Sequence, residues 1–214
     1  MNSSIALATR KFSLQTLIVY IYPAYSYANK TRQTDLMYRK TLDFLFQALA
    51  VKQYLIFSGT FFVLTALVMF ILDAQIRPPG CADLISLELV FTKSALNNII
   101  GNCGEEGVRA HLIMIWVDYI FIVSYIWFLA NLLGSLLRSI DYERALTLFS
   151  IPIIAGVLDV IENTIFLFQL QNLDSLNGGL IFLASSAALV KFVLIGITII
   201  LILYYLFKKK PEAA

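Results

Sequence analysis

Residues 54–72 read YLIFSGTFFVLTALVMFIL, an apolar run with the length of a helix that crosses a bilayer. Such a helix needs about 20 mostly apolar residues. The whole chain of 214 residues shares this character, since 59% of it is apolar, 14% is charged and the mean hydropathy is +0.80. Soluble domains are roughly 45–50% apolar and about 25% charged. The composition therefore excludes a soluble globule and predicts an integral membrane protein.

Three further segments have the length and apolar content of a spanning helix, which predicts four spans in all. We expect an all-α fold, a polytopic membrane helix bundle with additional interfacial helices. Residues 1–53 are expected to form cytoplasmic or interfacial helices before the bundle, and residues 208–214 a basic tail. The expected limits of the spans are about 54–73, 112–137, 146–171 and 180–207.

The basic residues predict how the chain is threaded. They cluster before the first span, where the only acidic residues are Asp35 and Asp43, and again in the tail. The loop at about 73–109 instead has more acidic than basic residues. Cytoplasmic loops carry an excess of lysine and arginine. We therefore expect a multi-pass protein of the inner (plasma) membrane, with both termini in the cytoplasm and this loop outside. The net charge of +2 indicates no nucleic-acid partner.

Two segments are predicted to lie along the membrane surface. Residues 12–28 have basic flanks and are interrupted by Pro23, which favours an interfacial or re-entrant helix. A fifth span and a cleaved signal peptide ending near Ala28 are the alternatives. Residues 84–100 carry apolar side chains at helical spacing but are too polar to span, so we expect an extracytoplasmic amphipathic helix there.

The two cysteines, Cys81 and Cys103, flank this surface helix. An oxidising compartment permits a disulfide between them, which would contribute about 3 kcal/mol by closing a loop of roughly 20 residues. Two unrelated thiols are equally compatible with the spacing. His111 is the one histidine of the chain and stands at a helix start, so we expect it at the interface and predict no metal site.

Polar residues stand inside the predicted spans, where water cannot solvate them. Asp159 and Glu162 are three residues apart on the third span and share a helix face with Asn163. An aspartate at a helix centre costs roughly 2.5–3.5 kcal/mol, so a partner within the bundle is expected. Lys191 of the fourth span lies around 16 Å from the outer surface, between Glu162 at around 13 Å and Asp159 at around 18 Å.

The second span extends this polar group. Asp118 lies about 9 Å below the outer surface, and Phe121 and Tyr125 follow it on nearly the same face. We expect one cluster built from three helices. Its three carboxyls face a single lysine, and such carboxyls cannot all stay ionised in a dry site. A protonated carboxyl, a water-filled pocket open to the outside and a bound cationic ligand are the three alternatives.

Two of these helices carry a recognisable pattern. D-x-x-F-x-x-x-Y is formed by Asp118, Phe121 and Tyr125, and G-x-x-D-x-x-E-N begins at Gly156. Together with GEEG at 104–107, they resemble a group of small uncharacterised bacterial four-helix integral membrane proteins over roughly residues 84–168. The resemblance implies a four-helix bundle and no activity. Cys103 stands where the group has a tryptophan before the glycine, so a disulfide would not be a general feature of it.

The sequence predicts that the cluster binds a lipid-like or small amphiphilic ligand, or a proton. One alternative is an enzyme acting on a lipid headgroup, with Asp159 or Glu162 as general acid or base. Another is a structural subunit of a membrane complex in which the cluster only fixes helix packing. No cofactor motif is present. Expected partners are membrane lipid and a membrane protein or second copy of the chain. The candidate binding residues are Asp118, Tyr125, Asp159, Glu162, Asn163 and Lys191.

Overall fold

The computed structural model describes residues 37–49, 51–138 and 140–208. Every regular element in these ranges is helical, so the predicted all-α fold is confirmed. The predictions for residues 12–28 and for the tail beyond Lys208 fall outside the described residues. In chain order the helices are α1 (37–49), α2 (Leu55–Ile76), α3 (Leu84–Glu88), α4 (Lys93–Leu137), α5 (Tyr142–Gln171) and α6 (Gly178–Lys208), with 3-10 turns at Lys52–Tyr54 and Leu173–Ser175.

Helices α2, α4, α5 and α6 are long and apolar enough to cross a membrane. Large apolar side chains point outward from them, among them Ile56 of α2 and Ile200 of α6. Such surfaces are normal in a bilayer, because lipid tails are as apolar as leucine. The described helices form an all-α membrane bundle with four candidate spans. The chain divides into two compact units between Phe44 and Leu45, and the site described below lies wholly within the second unit.

The segment predicted as one surface helix over 84–100 is interrupted. Helix α3 ends at Glu88 and α4 begins at Lys93, with Phe91 between them at a φ of 43°, in the left-handed region. The backbone N–H of Phe91 donates to the hydroxyl of Ser185 at 3.1 Å, which ties the break to α6. Helix α4 then continues through a bend at Gly104, where φ is 62°, into the second span.

Helices α5 and α6 are antiparallel neighbours, and both pack against α4. Helices α4 and α5 lie close together at Gly156, where any Cβ atom would collide with the side chain of Ile126. Helix α2 packs on a different side of α4, where Thr65 and Ser124 share a hydrogen bond of 2.6 Å and Phe62 stacks on Phe128. Among the described helices, α2 makes no substantial contact with α5 or α6, so a gap separates α2 from α6.

An apolar core at one end of the bundle holds α3 against α4, α5 and α6. Leu87 of α3 is fully buried in this core. The neighbouring Glu88 is buried as well, inside the bundle. The buried residues of this core are Leu87, Val90, Leu96, Ile115, Phe166, Leu170, Leu176, Ile181 and Ala184.

Candidate functional site: a charged cluster beside an apolar cavity

Lys191 of α6 lies at the centre of the polar cluster and is 3% exposed. Its Nζ atom is 2.6 Å from Asp159 Oδ1, 2.8 Å from Glu162 Oε2 and 3.1 Å from Glu88 Oε2. Carboxylates from α3 and α5 therefore surround one ammonium group. A buried charge without such partners would be strongly destabilising.

The packing of α5 on α6 explains how these groups meet. Asp159 and Glu162 are one turn apart on α5 and share the face that meets α6. The connection at 172–177 is short, which places the two helices side by side. Ala184 and Ala188, both fully buried, line the facing side of α6 and leave room for the lysine chain. Small residues commonly allow such close helix approach in membranes.

Two further hydrogen bonds join α4 to the cluster. Tyr125 Oη donates to Asp159 Oδ2 at 2.9 Å, and Asn163 Nδ2 donates to Asp118 Oδ2 at 2.7 Å. The structure thus brings together all six residues that the sequence singled out. Asn163 Oδ1 is buried and has no hydrogen-bond partner among the described residues.

Glu88 is the member of the cluster that sequence reasoning missed. It belongs to the segment that the sequence predicts as a surface helix, yet it is buried and lies against Lys191. Burial raises the pKa of the Glu88 carboxyl from its ordinary value of 4.5 to about 7, against the opposing attraction of Lys191. A signal was present in the stretch LELVF, where Glu88 is a lone carboxylate among apolar residues, as Asp159 and Glu162 are.

A cavity of about 590 Å³ opens beside this cluster, between α2 and α6. Asp159 and Lys191 reach it from α5 and α6, while α3 and α4 contribute Glu88 and Asp118. Its walls are mainly apolar. The remaining lining residues are Phe62, Met69, Phe70, Asp73, Arg77, Asp83, Leu84, Ile85, Met114, Phe121, Tyr125, Leu129, Phe192, Ile195 and Ile199.

A disulfide between Cys81 and Cys103 ties the segment before α3 to α4, with the two Cα atoms 4.5 Å apart. The same segment is held by Arg77, whose Nη1 donates to the carbonyl oxygen of Cys81 at 2.9 Å. Arg77 also pairs with Asp73 through its Nε atom at 3.0 Å. These contacts fix the position at which α3 enters the bundle.

His111, expected from the sequence at the membrane interface, is buried within the protein. Its Nδ1 lies 2.8 Å from the carbonyl oxygen of Gly107 and its Nε2 lies 3.0 Å from that of Ala82. Carbonyl oxygens only accept, so both contacts are hydrogen bonds only when both ring nitrogens carry protons. His111, Cys81 and Cys103 bring potential ligand atoms within 4.8 Å of one another, but both sulfurs are committed to the disulfide.

The fold and the cluster define the class of this protein: an all-α membrane helix bundle with a buried cluster of carboxyl groups and one lysine at the wall of a cavity. No protein-family model, no curated protein and no solved structure matches the chain.

Proposed function

We propose that this protein binds a lipid-like or small amphiphilic molecule in the cavity between α2 and α6. The observation that supports the proposal is the pairing of apolar walls with a few charged groups at one place, where Asp118 and Lys191 both reach the cavity. Ligand sites are typically clefts of about 300–1,000 Å³ with mostly apolar linings and a few polar groups that orient the ligand. The cavity volume of about 590 Å³ falls within that range.

The position of the cavity supports access from the membrane. Phe70 of α2 and Ile199 of α6 line the cavity and are also 75% and 45% exposed on the outside of the bundle. Since α2 and α6 do not pack against each other, the gap between them faces the acyl chains of the bilayer. An amphiphile can enter sideways through such a gap, with its chain along the apolar walls and its polar end at the cluster.

A pair of tryptophan substitutions on α6 tests this function. Ile195 lines the cavity, whereas Ile197 is exposed on the outside and does not line it. We expect Ile195→Trp to fill the cavity and remove amphiphiles that co-purify with the parent protein, as measured by mass spectrometry of the extracted lipids. Ile197→Trp should leave the co-purifying species unchanged. A parent protein with no bound amphiphile, or an Ile195→Trp variant with the same bound species, contradicts the proposal.

A structural role is the second candidate, and the three ion pairs of Lys191 favour it. They join α3, α5 and α6 without any ligand. Buried polar contacts between membrane helices typically contribute about 0.6 kcal/mol each, up to about 1.7. If the protein carries no ligand and the double variant Asp159→Asn/Glu162→Gln only lowers thermal stability, the structural role is the better explanation.

We further propose that the protein lies in the inner (plasma) membrane with the disulfide outside and both termini in the cytoplasm. Arg138 and Arg144 flank the α4–α5 connection, at the end of the bundle where α2 begins and α6 ends with Lys208. The positive-inside rule favours the cytoplasm for that side. The disulfide between Cys81 and Cys103 lies on the other side and suits an oxidising compartment.

A further inference from the structure

The charges that line the cavity are unbalanced. Two cations, Arg77 and Lys191, face more than twice as many carboxyl groups. Glu162 adds a further carboxyl directly behind Lys191, at 2.8 Å. The lining carboxyls are those of Asp73, Asp83, Glu88, Asp118 and Asp159.

Among these carboxyls, Asp118 is buried and has no cation beside it, whereas Asp83 is exposed and accepts from the backbone N–H of Ser86. Lys191 is already shared by three carboxylates, and Arg77 is paired with Asp73. Within the described part of the chain, no lysine or arginine nitrogen lies within 4.0 Å of Asp118. Its one hydrogen bond comes from the neutral amide of Asn163. A buried carboxylate with only a neutral partner is best stabilised by a cation from elsewhere.

Aromatic rings stand next to this carboxyl. Phe121 and Tyr125 follow Asp118 by one and two turns on the same face of α4, and all three line the cavity. The two ring centroids are 5.6 Å apart, and Phe62 of α2 stacks on Phe121 at 5.7 Å. A carboxylate and aromatic rings that line one cavity suit a substituted ammonium group, which pairs with the carboxylate and is attracted to the rings.

We propose that the cavity selects amphiphiles whose polar end is a cationic amine or quaternary ammonium group, and that Asp118 binds this group. The inference rests on the amphiphile site proposed above and specifies its ligand class. The cation sits at Asp118 beside Phe121 and Tyr125. The hydrocarbon chain extends along the wall formed by Ile195 and Ile199.

Probes that share one chain and differ in the polar end test the selectivity. Octyltrimethylammonium, octanol and octanoate are titrated calorimetrically into the protein in neutral maltoside micelles, with empty micelles as the blank. We expect the cationic probe to bind about tenfold more tightly than octanol, and octanoate more weakly than either. Tetramethylammonium, which has no chain, should bind much more weakly than octyltrimethylammonium because it cannot use the apolar wall.

A matched pair of isosteric variants tests the role of Asp118. Asp118→Asn keeps an oxygen that can accept the hydrogen bond of Asn163 but removes the charge. We expect this variant to bind octyltrimethylammonium about tenfold more weakly and octanol unchanged. Asp174→Asn, at an exposed position outside the cavity, should bind all probes as the parent does. An equal loss for octanol and for the cation in Asp118→Asn would indicate a structural effect and contradict the assignment.

The outcomes separate this inference from the function on which it rests. Equal affinity of the parent protein for octyltrimethylammonium and octanol overturns the charge selectivity and leaves the amphiphile site standing. Failure of the parent to bind any of the chain-bearing probes overturns the amphiphile site itself. Tetramethylammonium binding as tightly as octyltrimethylammonium overturns the role of the apolar walls.

Discussion

Lys191 joins its own helix, α6, to α3 and α5. Its ammonium group meets carboxyl groups of both partner helices and is buried among them. A lysine is suited to this place because its ammonium is compact and has three donors. The cluster thus forms a polar contact between α3, α5 and α6 within an otherwise apolar bundle.

Removing the ammonium group should destabilise the fold strongly. Breaking a buried ion pair by removing one partner typically costs about 3–5 kcal/mol, because the remaining charge is left uncompensated. We expect Lys191→Met to lower the melting temperature of the protein in detergent markedly. Lys93→Met, at an exposed position at the start of α4, serves as the control and should be near neutral. Equal melting temperatures for the two variants would contradict a stabilising role of the cluster.

Glu88 should make stability depend on pH. Because burial raises its pKa from 4.5 to about 7, the folded protein keeps a proton that the unfolded chain loses in that window. The contribution of Glu88 to stability therefore falls as the pH rises from 4.5 to about 7. Glu88→Gln mimics the protonated form, so relative to the parent it should be more stable at about pH 8 than at about pH 5, by roughly 1–3 kcal/mol.

Thermal unfolding of Glu88→Gln and the parent at both pH values measures this difference directly. Glu106→Gln, at an exposed position on α4, is the matched control and should follow the parent at both values. A stability difference between Glu88→Gln and the parent that is the same at both pH values would show that Glu88 does not titrate in this window.

At the scale of elements, one glycine allows α4 and α5 to pack closely at its position. Gly156 leaves no room for a Cβ atom beside Ile126, whereas Gly196 of α6 has nothing within 4 Å of the corresponding position. We expect Gly156→Ala to destabilise the bundle by about 1–3 kcal/mol through overpacking. Gly196→Ala should be neutral or slightly stabilising, because alanine is the better helix former. Thermal melts of both variants measure the contrast, and equal effects would contradict the tight α4–α5 contact.

The end of helix α3 could not be predicted from the local sequence pattern. The apolar spacing over 84–100 predicts one continuous helix, because it repeats with the helical period. The break at Phe91 depends on contacts outside the segment, namely the hydrogen bond to Ser185 and the burial of Leu87 and Leu96 in the core. No local pattern records such contacts. Glu88 was missed for the same reason, because its partner is about a hundred residues away along the chain.

At the scale of the whole molecule, the proposed orientation can be tested with added cysteines. Both native cysteines form the disulfide, so they do not react without a reductant. Ser175 in the α5–α6 connection and Asp141 in the α4–α5 connection are both exposed. We expect an impermeant maleimide to label Ser175→Cys on intact cells and to label Asp141→Cys only after permeabilisation. The reverse pattern would overturn the orientation.

The sequence by itself determined that this chain is an all-α membrane bundle with four candidate spans, because hydropathy and length are properties of each segment alone. It also singled out the polar residues of the spans, since Asp159 and Lys191 are costly in a bilayer unless they have partners. Only the tertiary structure decided that they meet, that Glu88 joins them, and that a cavity opens beside Asp118. Those features depend on the rotation of each helix about its axis and on where α2 and α3 pack. Both are set by contacts between residues far apart in the chain.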